Sequence, residues 1–250
     1  QDFPKHQFAW KVLGAVLGAT RRKSEALDAN RTVVTLSPKD AEAHSNLGVT
    51  LKELGRLDEA EASYNQAIAL KPDFAEAHSN LGVTLQVLGR LDEAEASYNQ
   101  AIALKPGYAE AHYNLGITLQ GLGRLDEAEA SCRQAIALKP DYATPHSNLG
   151  NTLKELGRLD EAEASLNQAI ALNPDLAEAH YNLGVTLQEL GRLDEAEASF
   201  NQAIALKPDY TEAHSNLGNT LQQLGRLDEA EASFNQAIAL KPDYAEANYN

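Results

Sequence analysis

A unit of 34 residues recurs along the chain, and this period constrains the fold more than any other feature. One copy, Ala75 to Tyr108, reads AEAHSNLGVTLQVLGRLDEAEASYNQAIALKPGY. Near-copies begin at Ala41, Ala109, Ala143, Ala177 and Thr211, and one more is started at Ala245. A length of 250 residues would ordinarily suggest one or two globular domains. A fixed period instead predicts a stacked array in which no repeat buries a core by itself. Hydrophobic residues make up 43% of the chain and aromatic residues only 6%, so packing must run through small side chains, above all alanine.

Each copy reads as two helices. In Ala41 to Phe74, residues Ala43, His44, Leu47, Gly48, Leu51 and Leu54 fall at helical spacing. Gly55 then closes the first helix, glycine being the usual residue just past a C-terminus. Leu57, Ala60, Tyr64, Ala67 and Ile68 form the face of a second helix. Asp58, Glu59 and Glu61 sit at its start and Lys71 at its end, as the helix dipole favours. Pro72 stops it. Asp73 and Glu76 have the spacing of a capping box for the next helix. Thr144 and Pro145 replace the usual residues at the start of one copy, and that helix is expected to start late or fray. Gly121 weakens another by about 1 kcal/mol relative to Ala.

This pattern resembles the tetratricopeptide repeat family, whose signature spaces an aromatic, Leu-Gly, a large residue, Ala, an aromatic, Ala and Pro. Those places hold His44, Leu47-Gly48, Leu51, Ala60, Tyr64, Ala67 and Pro72, with His departing from the aromatic. The segment before Ala41 fits the same frame in diverged form, through Trp10, Leu13-Gly14, Leu17, Ala26 and Pro38. The resemblance implies an all-α fold, a right-handed superhelical solenoid of antiparallel helix pairs. The expected repeats are 7–40 (diverged), 41–74, 75–108, 109–142, 143–176, 177–210 and 211–244. Residues 1–6 read as the tail of a preceding repeat and 245–250 as the start of a truncated one, so the chain reads as a fragment.

The formal net charge of −15 follows from the repeat. Thr211 to Tyr244 carries Glu212, Asp228, Glu229, Glu231 and Asp243 against Arg226 and Lys241. An acidic surface disfavours nucleic acid and anionic membranes. No apolar run approaches the ~20 residues of a membrane span. The single cysteine, Cys132, takes the place of Tyr64 and reads as a core substitute, leaving the compartment undetermined with cytoplasmic as the default. The repeated histidines, one per copy, are too far apart for a shared metal ion and read as packing residues. Asn30-Arg31-Thr32 matches a glycosylation sequon but falls within a helix. No catalytic set, cofactor motif or metal site is expected.

Function is expected on one face of the first helix. There the copies vary at Ser45, Ser79, Tyr113, Ser147, Tyr181, Ser215 and Tyr249, at the Val49 place (Asn151 and Asn219 in two copies), and at the Glu53 place. One residue on this face never varies among the near-copies: Asn46, Asn80, Asn114, Asn148, Asn182, Asn216 and Asn250. An amide offers a donor and an acceptor together, matching a peptide bond. In the tetratricopeptide family this face lines the concave groove, and the row resembles the asparagine ladder of the O-GlcNAc transferase repeat domain, which holds extended polypeptide by its backbone. An alternative is that the asparagines cap or bridge neighbouring helices, or are merely copied by recent duplication. Acids in this face argue against a carboxylate clamp built from Lys and Arg. The leading reading is a non-catalytic scaffold for a protein or peptide in extended conformation, with Tyr113 and Tyr181 adding apolar contact. Two others stand beside it: the substrate-recruiting arm of a larger, glycosyltransferase-like enzyme, and a structural spacer open to end-to-end self-association.

Overall fold

A computed structural model describes residues 7–241; the expected tail 1–6, the end of the repeat 211–244 and the truncated repeat 245–250, with Tyr249 and Asn250, lie outside the described part. The described residues form fourteen α-helices and no strand. They divide into two compact units, Gln1–Gly123 and Arg124–Asn250.

The first unit holds α1 (Gln7–Ala19), α2 (Lys23–Leu36), α3 (Ala41–Glu53), α4 (Leu57–Leu70), α5 (Ala75–Val87), α6 (Leu91–Leu104) and α7 (Ala109–Gly121). The second holds α8 (Leu125–Leu138), α9 (Ala143–Glu155), α10 (Leu159–Leu172), α11 (Ala177–Glu189), α12 (Leu193–Leu206), α13 (Thr211–Gln223) and α14 (Leu227–Leu240). Within each unit, successive helices pack as antiparallel pairs, and each second helix packs on the first helix of the next pair.

Backbone chemistry explains the tight turn inside a pair. Arg56 N–H bonds the Leu51 carbonyl and Gly55 N–H the Lys52 carbonyl, the two bonds of a Schellman closure. The closure needs a left-handed residue, and Gly55 supplies it at φ 74°. In the diverged pair α1/α2 the same bonds form around Arg21, at φ 59°, the one non-glycine residue with positive φ among those described.

The core is built from a glycine facing a large ring. A Cβ on Gly48 would lie 2.7 Å from the Tyr64 ring, and Gly82 meets Tyr98 in the same way. Phe200 and Phe234 fill the place opposite Gly184 and Gly218, and Leu166 that opposite Gly150. Tyr64, Tyr98, Leu166 and Phe200 are fully buried, flanked by alanines such as Ala60 and Ala94. Cys132 occupies the corresponding place and is also fully buried, and burial pushes its thiol up to about 12, so it stays protonated.

Charge ties one pair to the next. Arg90 forks onto Glu93 in its own helix and reaches Glu61 of α4 at 2.6 Å. Arg158 with Glu129 and Arg192 with Glu163 repeat the bridge in the second unit. The LGRLDEAEAS segment is thus accounted for: glycine for the turn, arginine for the bridge, and two glutamates to receive it.

Two local expectations fail. The capping box at Asp73 and Glu76 does not form. Phe74 N–H closes the inter-pair turn onto Lys71, which makes Phe74 the N-cap, one residue past Asp73. Asp40 alone brings a capping carboxylate to that place, accepting from Ala43 N–H at 3.2 Å. Nor does α9 start late. It begins at Ala143, and Pro145 lies in the first turn, where its missing N–H leaves no intrahelical bond unmade.

Candidate functional site

In the first unit, Asn46 of α3, Asn80 of α5 and Asn114 of α7 recur at one repeat spacing on the first helix of successive pairs. Asn46 is exposed, and Asn80 and Asn114 are half-buried. Their backbone carbonyls accept from Thr50, Thr84 and Thr118 one turn on, at 3.2, 2.9 and 3.0 Å. These threonines are buried and are satisfied within their own helices. The side-chain amides of Asn46, Asn80 and Asn114 bond no group among the described residues.

The second unit differs. Asn216 donates to the Tyr181 hydroxyl at 3.0 Å, so its amide donor is committed to the fold. The Asn148 Nδ2 atom is enclosed without a partner. Asn182 is half-buried and its amide is uncommitted. Asn151 and Asn219 are both half-buried, and Asn151 is tied along α9 to Glu155 at 3.2 Å.

The variable positions sort by burial. Ser45, Ser79, Ser147 and Ser215 are buried, so that position faces the neighbouring helices and not open solvent. Tyr113 and Tyr181, at the same position, are half-buried. Tyr181 packs on Tyr210 and Phe200, with ring centroids 4.9 and 6.0 Å away. Its apolar surface therefore serves the core of the second unit as well as the face. Near the C-terminal ends of their helices, Glu53 and Val87 are exposed in the first unit, and Glu155, Glu189 and Gln223 in the second.

The histidines have an architectural role other than simple packing. His44 Nε2 lies 3.0 Å from the Pro38 carbonyl, and His78, His112, His180 and His214 pair likewise with Pro72, Pro106, Pro174 and Pro208. Each ring pins the turn that proline opens. At His146 burial lowers the pKa of the ring despite the opposing bond to Pro140. No cluster of three His, Cys, Asp or Glu residues among those described is placed to hold a metal ion. The sequon asparagine, Asn30, is 7% exposed and bonded to Thr50, which leaves no room for a glycan. No described helix is long and apolar enough to cross a membrane.

Known proteins agree with this architecture. Residues 50–89 and 150–191 match a family model described as TPR repeat, and 175–243, 79–143 and 31–62 match three described as tetratricopeptide repeat. No curated protein sequence matches the chain. Among solved structures, a chain of the APC/C hetero-tetramer Cut9-Hcn1 is similar over 94% of this chain, with a TM-score of 0.83 and 19% identity. The present chain spans 46% of that one. TTC0263, a thermophilic TPR protein of Thermus thermophilus, is 31% identical over 70% of this chain and 95% of its own, with a TM-score of 0.60. YrrB, described as a TPR protein with an unusual peptide-binding site, is 26% identical over 74% of this chain and 95% of its own, with a TM-score of 0.56. Repeats of this kind serve in general as scaffolds for protein–protein interaction. From the helix pairs, their glycine turns and these matches, the chain belongs to the tetratricopeptide repeat family.

Proposed function

We propose that this chain is a non-catalytic scaffold that binds extended polypeptide along the asparagine-bearing face of its first helices. One observation carries the reading: Asn46, Asn80 and Asn114 present uncommitted amides one repeat apart, where helix propensity alone would favour Ala. A carboxamide pairs with a backbone N–H and C=O at once. Each such bond nets about 0.5–1.5 kcal/mol. Ordering an extended ligand costs ~1–2 kcal/mol per residue, so the row of amides roughly offsets ordering. Useful affinity then comes from side-chain contacts.

The test is a triple substitution, Asn46→Ala, Asn80→Ala and Asn114→Ala, assayed against peptides selected on the unsubstituted chain. Binding should weaken at least about tenfold, while the helical signal and melting midpoint are kept or rise. Equal affinity in the triple variant would remove the reading.

A second reading is self-association. Phe8, Val12, Leu13 and Val16 expose 76, 46, 40 and 53% of their surface on α1, a face another copy could cover. Light scattering across a concentration series decides it, and a strictly monomeric species throughout counts against it.

A further inference from the structure

The diverged pair α1/α2 leaves a cleft of about 240 Å³ against α3 that opens on the face carrying Asn46. Three shortened side chains line its α1/α2 side. Ala15, Gly18 and Asn30 stand where the next pair has Val49, Lys52 and Tyr64. Where Tyr64 fills the space facing Gly48, Asn30 only closes on Gly14. The walls are Ala15, Gly18 and Val49, and the polar groups are Asn30, Asn46, Thr50 and Glu53.

Asn46 brings an open amide, donor and acceptor together, while Asn30 and Glu53 bring acceptors only. Asn30 is 7% exposed, and its Nδ2 is spent on Thr50 Oγ1 at 2.9 Å and the Asn46 carbonyl at 3.5 Å. Its carbonyl oxygen accepts nothing from the described residues. Thr50 in turn donates to the Asn46 carbonyl. Glu53 stands exposed at the rim. Lys23 meets Glu53 through the backbone carbonyl at 3.2 Å, and neither Lys23 nor Lys52 lines the cleft.

A purely apolar occupant would cover the Asn30 oxygen without giving it a donor, which is costly. An anion would meet Glu53 and no lining cation. The volume lies below the ~300–1,000 Å³ of small-molecule sites and suits one long side chain. We propose that the cleft takes a basic side chain, lysine or arginine, of the bound polypeptide. Its aliphatic stem runs past Ala15, Gly18 and Val49, and its cationic tip donates to Asn30 Oδ1 and Glu53. The proposal rests on the polypeptide-binding reading and adds to it the class of residue selected at one end of the row.

The test uses the whole chain, ¹⁵N-labelled, titrated with Nα-acetyl-lysine methylamide or with Nα-acetyl-norleucine methylamide, which keeps the four-carbon stem and lacks the ammonium. The lysine probe should shift the Gly14 and Gly18 amides and the Asn30 side-chain amide saturably. The norleucine probe should bind about tenfold more weakly. Gly18→Gln, which restores the bulk found at this place in α5, should abolish the response, and Glu53→Gln should weaken it without altering the fold. Equal binding of the two probes, silence at Gly14 and Gly18, or an undiminished response in Gly18→Gln would each overturn the proposal. Of the asparagine row, a single-residue probe meets only Asn46, which lines the cleft, and not Asn80 or Asn114. Failure here with peptide binding still lost in the triple asparagine variant removes the cleft alone; success here with no loss in that variant removes the row alone.

Discussion

Helix pairs α1/α2 and α5/α6 share one plan and carry different side chains on it. Both close with the same pair of Schellman bonds, one around Arg21 and the other around Gly89. Both place a glycine opposite the second helix, but Gly14 faces Asn30 whereas Gly82 faces the Tyr98 ring. On the outer face, Phe8 and Val12 stand where α5 has Glu76 and Asn80. In both pairs the arginine after the turn forks onto the glutamate three residues on, Arg22 onto Glu25 and Arg90 onto Glu93. The plan therefore depends on turn closure, buried alanine and close helix approach. Filling the core and dressing the outer face are separable from it, which leaves the face free to carry function.

Making α5/α6 resemble α1/α2 in its core should have the largest effect. Tyr98→Asn removes a fully buried ring whose hydroxyl bonds Gln86 at 3.1 Å. Truncations of this size cost about 3–5 kcal/mol. Hydrogen exchange should show the loss concentrated in α5 and α6, with distant pairs little changed. Uniform loss of protection would mean that the pairs do not act as local units.

Gly82→Ala should cost about 1–3 kcal/mol, because its Cβ would fall 2.7 Å from a ring with nowhere to move. Gly14→Ala should cost less, since its Cβ meets only the tip of Asn30, which borders an open cleft, whereas the Tyr98 ring is enclosed on all sides. Denaturation of the two single variants compares them, and equal costs would refute the claim that the diverged core is looser.

At the turns the effects should be opposite in sign and about 1 kcal/mol each. Arg21→Gly relieves a left-handed residue that has a Cβ and should raise the melting midpoint. Gly89→Arg, at φ 75°, should lower it. A matching sign in both would show that the turn conformation is not what matters there.

The smallest effect is a pH dependence at the first inter-pair turn. Burial pushes the Asp40 carboxyl up, but the Lys11 hydrogen bond, the Ala43 N–H and the Lys11 charge outweigh it and hold the carboxyl below the usual 3.8. The folded state thus favours the carboxylate. Its contribution is present above about pH 4 and is lost as pH falls through the folded value. Lys11→Met should move the Asp40 titration, followed by carboxyl ¹³C shifts, upward. An unmoved titration would exclude the 2.6 Å pair as its cause.

Much of this fold could be read from residue spacing. Leu47, Leu51, Ala60, Tyr64 and Ala67 announce the helices and their facing stripes, and Gly55 announces the turn, because helical periodicity and left-handed φ are local properties. Failures came where turn geometry shifts the register of hydrogen bonds. The turn from Lys71 to Phe74 moves the N-cap one residue past Asp73, and only Asp40 exposes that register. The link from histidine to the proline carbonyl six residues back was hidden because both residues recur in every near-copy. Burial of the Ser45 place could not be separated from the open Glu53 place on one helix wheel, since neighbouring helices decide it. The cleft at Asn30 was legible in principle, as three short residues at places that are large one repeat later.

The central claim is that the amides of Asn46, Asn80 and Asn114 meet the backbone of an extended polypeptide, while Asn216 belongs to the fold. The side-chain NH₂ resonances of these four residues, followed during titration with a peptide selected for binding, test it most directly. The account predicts saturable shifts at Asn46, Asn80 and Asn114 with a common midpoint, and an Asn216 signal that stays at its Tyr181-bonded position. Binding that leaves the first three unmoved would contradict it.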